Sequence, residues 1–171
     1  MKKHVFLGLG LFGITALLAA CGQQAKAATT QRTLNVAVST EASSLDPAHA
    51  VDATSGGILE QIMTPLYDHD KDGKIIPAMA TKVVKPTDGG KTYTLTLRKD
   101  VKWSDGTPVT AKDFVYSLKR IVDPKTKTEF AYQYDAIANY QAIVAGKKSP
   151  DTLGVSAPSK YVLKIQLSQP T

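Results

Sequence analysis

Few residues in this 171-residue chain are equipped for chemistry, and their spacing defeats most of what they could do. Cys21 is the sole cysteine, which excludes a disulfide within the chain and leaves any zinc site short of the several thiolates it needs. His4, His49 and His69 stand alone, with no His-x-x-His or His-Glu partner to complete a metal site. No G-x-S-x-G turn presents a serine nucleophile. Gly56-Gly57 lacks the Lys-Ser/Thr that follows a phosphate-cradling loop, and Gly89-Gly90, though followed by Lys91-Thr92, does not sit in a strand-to-helix glycine fingerprint. Asp68, Asp70, Asp72 and Gly73 match the first half of a calcium-binding loop, but Met79 stands where the bidentate Glu belongs and Pro77 where a helix should continue. That stretch reads as a solvated hairpin tip. No catalytic constellation emerges, and neither a metal nor a cofactor is expected.

The elements that could position a site come from an ordinary globular composition, 43% hydrophobic and 21% charged, which excludes disordered, collagen-like and disulfide-rich classes. Lys plus Arg number 21 against 15 Asp plus Glu, a net charge of +6. The basic residues are scattered among Asp, with no basic stripe and interleaved aromatics, so nucleic acid is not an expected partner.

Met1-Lys2-Lys3-His4 is a basic start, followed from Val5 to Ala20 by apolar and small residues. This is the architecture of a secretory signal, too short for a membrane span of about 20 apolar residues. Leu18-Ala19-Ala20-Cys21 resembles the bacterial lipobox, in which Cys21 receives a diacylglyceryl group and becomes the new N-terminus. Two acyl chains suffice for stable attachment where one is marginal. The expectation is a signal over 1–20, a lipid anchor at Cys21, a flexible tether over 21–31, and a body outside a bacterial membrane, on its extracellular or periplasmic side. An uncleaved helix, or a plain secretory signal with a coincidental cysteine, is the alternative. Loss of Lys2 and Lys3 would leave 19 Lys plus Arg against 15 Asp plus Glu, or +4.

Further on, Leu34, Val36 and Val38 alternate with smaller or polar residues as in a strand. A helix is expected from near Thr54, with Ile58, Ile62 and Met63 on one face and Thr64-Pro65 as its stop. Leu66-Tyr67 and Ile75-Ile76 predict two strands around a turn at Gly73. Thr81–Lys85 and Thr92–Leu97 predict a hairpin across Pro86-Thr87-Asp88-Gly89-Gly90. Trp103–Pro108 predicts a turn, Thr110 and Asp113 a capping-box helix running to about Val122, and Asp135–Ala145 a further helix. Leu153–Val155 and Tyr161–Leu167 predict two more strands. Strands at both ends with helices grouped between them argue an α+β fold with a mostly antiparallel sheet.

The run Asp88-Gly89-Gly90-Lys91-Thr92-Tyr93-Thr94-Leu95-Thr96-Leu97-Arg98, and then Val101-Lys102-Trp103-Ser104-Asp105-Gly106-Thr107-Pro108-Val109-Thr110-Ala111-Lys112-Asp113-Phe114-Val115-Tyr116-Ser117, resembles the extracellular solute-binding proteins (family 5) of peptide ABC importers, and within them the oligopeptide-binding branch. Ser44-Leu45-Asp46-Pro47, Asp72–Ala78, Ile137-Ala138-Asn139 and Ala145–Lys148 extend the match over nearly all of residues 33–170.

The resemblance implies the N-terminal portion of a two-lobed periplasmic-binding-protein type II fold that closes on an extended peptide through main-chain hydrogen bonds and passes it to an ABC permease driven by its ATPase subunits. Main-chain pairing ignores side-chain identity, which suits broad specificity. Residues 32–63 would be the first, incomplete segment of the ligand-binding lobe, and 64–171 a nearly complete accessory α+β domain. The stretch that pairs with the ligand backbone would fall at Val51, Asp52 and Ala53, and an aromatic lining the pocket at Phe130. The family's acidic ligand-side residue falls one place later here, at Asp52. Trp103 would serve turn and core packing. Family members are several-fold longer, so the resemblance also implies a partial chain. It is expected to act as a monomer. A peptide-pheromone receptor on the same scaffold, or a truncated remnant without binding function, would share these motifs.

Overall fold

The computed structural model describes residues 33–170, so the expected signal, the anchor at Cys21 and the tether lie outside the described residues. The chain divides into two units, Met1–Ala37 and Val38–Thr171. In the first, residues 33–37 form no strand, and Leu34 and Val36 are exposed. Val38, at the start of the second unit, is likewise exposed and outside any strand. The strand read from their alternation is not formed, because a strand needs a ladder partner and none of the described strands pairs with this stretch.

In the second unit, α1 spans Ala53–Ile62. A hairpin follows, β1 (Tyr67–His69) against β2 (Ile75–Pro77), antiparallel in the register Asp68 opposite Ile76. Its turn closes on Gly73, whose φ of +77° is a conformation glycine adopts at least cost. β3 (Thr92–Thr96), α2 (Ala111–Val122), α3 (Tyr140–Val144), β4 (Val155–Ser159) and β5 (Val162–Gln166) complete the elements. β5 is the central strand of a three-stranded antiparallel sheet ordered β3-β5-β4. The expected α+β class with antiparallel pairing holds.

The helix α2 positions the rest. Its apolar stripe, Phe114, Val115, Leu118, Ile121 and Val122, follows the 3.6-residue period and packs into two buried clusters. One gathers Val122, Ile137, Tyr140, Ile143, Leu153 and Val155; the other Ala80, Leu95, Leu97, Ala111 and Leu163. Val115 touches both. At the start of α2 the Asp113 carboxylate accepts from the Thr110 amide at 2.6 Å and from its hydroxyl at 2.8 Å, the expected capping box. The Ala111 amide donates to the Lys160 carbonyl at 2.9 Å and ties the helix to the β4–β5 turn. Asp113→Ala should therefore lower stability by about 1 kcal/mol, as for a lost N-terminal cap, read as a shift in urea midpoint with unchanged slope. A midpoint shift near zero would mean the box adds nothing.

Two expected elements are replaced. β3 takes β5 as its ladder partner, with Leu95 opposite Leu163, while Thr81–Lys85 forms no strand. Only the ends of the expected hairpin meet, at the Ala80–Leu97 and Thr87–Thr92 bridges. Pro86, which has no amide to donate, lies in the stretch that bows away between them. The expected helix over 135–145 shortens to α3, preceded by a 3-10 turn at Ala131–Tyr134. The backbone at 136–138 bonds to strand ends instead: Ala138 donates to Gln166 O at 2.9 Å, and Gly154 donates to Ala138 O at 2.9 Å. Asn139, at φ +70°, then turns the chain into α3. Trp103 sits in its turn, its amide donating to Thr107 O at 2.8 Å, but its ring is half-exposed and does not join either buried cluster.

Candidate functional site

The loop 39–52 and the first turn of α1 hold two carboxylates in tight local networks. Asp52 is the N-cap of α1, with extended backbone (φ −110°, ψ 158°) and its Oδ1 accepting from the Ser55 amide at 2.8 Å. Its Oδ2 accepts from the Ser55 hydroxyl at 2.6 Å, the Ser43 hydroxyl at 2.5 Å and the Ser43 amide at 3.2 Å. Ser55 is fully buried and its Oγ also receives the Ser44 amide at 3.3 Å. One carboxylate thus satisfies an orphan amide of the helix start and pins the incoming loop to it.

Asp46 opens the second network. Its Oδ1 accepts from the Ala48 amide at 3.1 Å, and its carbonyl from the His49 amide at 2.9 Å, which builds the turn around Pro47. The same carboxylate takes a two-pronged ion pair from Arg120 in the last turn of α2, Nη1 to Oδ1 at 2.8 Å and Nη2 to Oδ2. Thr126 Oγ1 donates to the Arg120 carbonyl and holds the chain as it leaves that helix. The segment before α1 is thereby fastened to the foot of α2.

Both carboxylates are held ionised. Hydrogen bonds from Arg120, then the Ala48 amide, lower Asp46 from 3.8 to about 2. The Ser43 and Ser55 hydroxyls, then the Ser55 amide, hold Asp52 well below the usual carboxylate range. With a depressed folded pKa, Asp46 contributes stability above pH 3.8 that is lost as the pH falls through about 2. The urea midpoint should fall only modestly across that window, since solvent screens a pair that is about a third exposed, and Asp46→Asn should flatten part of that fall. A midpoint indifferent to pH there would contradict the network.

The residues expected to meet a ligand take two places. Val51 is exposed, and among the described residues no hydrogen bond engages its amide or carbonyl. Ala53 is the exposed first residue of α1. Asp52 between them points its carboxylate into the local network described above. Phe130 lies past the foot of α2, half-buried, its amide on Thr128 Oγ1 at 3.1 Å, at the head of the 3-10 turn 131–134. The Asp46–Arg120 pair is the link that brings the segment leading to Val51 against the end of α2, from which the Phe130 segment departs. The sequence marks Asp46 as a turn residue and does not single out Arg120; the two are 74 positions apart, and no local signal couples them.

In the aspartate-rich hairpin, Asp70 Oδ1 accepts from the Asp72 amide at 2.9 Å and the Lys74 amide at 3.0 Å, and Asp72 pairs with Lys71 at 3.0 Å. These carboxylates organise their own turn. Among the described residues no helix is long and apolar enough to cross a membrane.

Residues 74–171 match the family described as bacterial extracellular solute-binding proteins, family 5 Middle. The chain is 45% identical over 133 residues to the periplasmic murein peptide-binding protein MppA of Escherichia coli, covering 76% of this chain and 24% of that protein. The solved structure of Listeria monocytogenes OppA bound to peptide superposes with a TM-score of 0.77 at 44% identity, over 81% of this chain and 27% of that one. The structure of the pheromone receptor PrgZ superposes with a TM-score of 0.76 at 43% identity, over 78% of this chain and 26% of that one. The chain spans about a quarter of the length of these proteins.

Proposed function

The chain belongs to the bacterial extracellular solute-binding proteins, family 5, and on that premise we propose that it serves a peptide ABC importer by capturing oligopeptides for a membrane permease and its ATPase subunits. The observation that carries the reading is the likeness, over four-fifths of the chain, to a protein solved with a peptide bound. The family is one of transport binding proteins rather than enzymes, and the chain acts by binding. Its geometry agrees: Val51 presents main chain that no described residue uses, between an ion pair and a helix cap that fasten the segment.

In this reading Val51 and Ala53 pair with the peptide backbone, in the manner of strand addition, and Phe130 lines the pocket. Asp52 contributes by shaping the segment. Residues 32–63 belong to the ligand lobe and 64–171 to the accessory domain. Cys21 carries the lipid that holds a monomer on the outer side of the bacterial membrane.

Calorimetric titration of the full-length gene product with tri-, tetra- and penta-alanine, and with the same lengths carrying Lys or Phe, tests this. Affinities within about tenfold of one another across side chains, or 1.4 kcal/mol, are expected. Absence of binding to all of them would overturn the reading. The likeness to PrgZ supports a second one, a receptor for a signalling peptide. Tight binding of one peptide with rejection of the rest would favour it.

A further inference from the structure

The Asp46–Arg120 pair joins two segments that the proposed function assigns to different parts of the protein. Asp46 lies in the segment that leads to Val51, and Arg120 in the last turn of α2. Its geometry is bidentate, which fixes orientation as well as distance. The pair is only about two-thirds buried, with side chains 38% and 34% exposed, so it adds little to global stability. Its other connections are all local. Asp46 also orders the Ala48 and His49 amides, Ser44 Oγ receives the Asp46 amide, and the Ser43–Asp52–Ser55 network continues to the N-cap next to Val51. On the other side, Thr126 bonds to the Arg120 carbonyl, four residues before Phe130.

We infer that Arg120, through Asp46, is a positioning residue: it holds the segment 43–53 against the foot of α2 so that Val51 and the Phe130 segment are presented in fixed relation to a peptide main chain. Arg120 itself does not touch the ligand. This rests on the peptide-binding reading for its consequence, while the clamp itself stands on the observed geometry.

The test uses the full-length gene product with Arg120→Ala, Arg120→Lys and the reversed pair Asp46→Arg/Arg120→Asp. Amide hydrogen exchange is read at Ser44, Ala48, His49 and Ser55, with Leu163 as the internal control, alongside calorimetric binding of tri-, tetra- and penta-alanine and their Lys-substituted forms. In Arg120→Ala the loop amides should exchange about fivefold faster, as for local release of a half-exposed pair, while Leu163 is unchanged. Affinity should fall by a similar factor for every peptide alike, since the main chain is what is mispositioned. Arg120→Lys, which keeps charge but loses the fork, should recover part of both, and the reversed pair most of both.

Unchanged loop exchange in Arg120→Ala overturns the clamp. Faster loop exchange with unchanged affinity overturns its positioning role, and so does a loss of affinity confined to the Lys-bearing peptides. If the unaltered protein binds none of the peptides, the functional reading fails, and the exchange measurement alone upholds or overturns the clamp.

Discussion

Leu163→Ala should lower the unfolding free energy by about 3 to 5 kcal/mol, the range for a leucine whose removal leaves a cavity that cannot collapse. Leu163 is fully buried, sits on the central strand β5 and faces Leu95 across the ladder. It packs in the cluster with Ala80, Leu97 and Ala111, the last being the first residue of α2, so its side chain joins sheet to helix. Strand and helix are both tethered by backbone bonds, and the walls of the cavity are therefore held apart. Small domains have about 5 to 15 kcal/mol in all, and the variant should be close to unfolding at 37 °C. Val83→Ala, at a half-exposed position, should cost under about 0.5 kcal/mol as a control. Urea denaturation of both variants checks this, and a Leu163→Ala loss below about 1 kcal/mol would mean that this cluster does not organise the fold.

Gly154→Ala should be nearly as damaging, by about 2 to 3 kcal/mol, through overpacking. A Cβ at Gly154 would stand 2.6 Å from the Gln166 carbonyl oxygen and 2.8 Å from Ala138 Cβ, both on backbone that cannot swing aside. Three segments cross here: Gly154 donates to Ala138, Ala138 to Gln166, and Gln166 to Gly154 at 2.7 Å. Relief of the clash must stretch that ring of bonds and displace Leu153 and Val155, both buried. The contrast is Gly57→Ala inside α1, where a new Cβ meets nothing within 4 Å. There the helix propensity of alanine should raise stability by about 0.5 to 1 kcal/mol. Thermal melts of the two variants should thus move in opposite directions, and a neutral Gly154→Ala would contradict the close packing of the three segments.

What the sequence revealed was local. The helix α2 was legible because its stripe, its Thr110–Asp113 box and its Asp123-Pro124 stop all lie within a few residues of one another. The alternation of β5 and the Gly73 turn were legible for the same reason. The partner of β3 was not. Turn formers at 86–90 pointed to the neighbouring segment, yet the ladder runs to β5, about seventy residues on, where Leu163 supplies the apolar match for Leu95. Likewise the helical pattern over 135–145 yielded at 136–138 to bonds with Gly154 and Gln166, a tertiary demand that propensity does not contain. At the candidate site, Val51, Asp52, Ala53 and Phe130 could be named from motif position alone. That Asp52 spends its carboxylate on Ser43 and Ser55, and that Arg120 grips Asp46, depends on side chains meeting in space.

Peptide capture is tested most directly by mass spectrometry of small molecules released from the native protein after gentle purification from its source cells. A mixture of peptides of varied sequence is expected, because main-chain recognition tolerates differing side chains. A preparation that is folded yet releases no peptide, even after incubation with a peptide mixture, would contradict it.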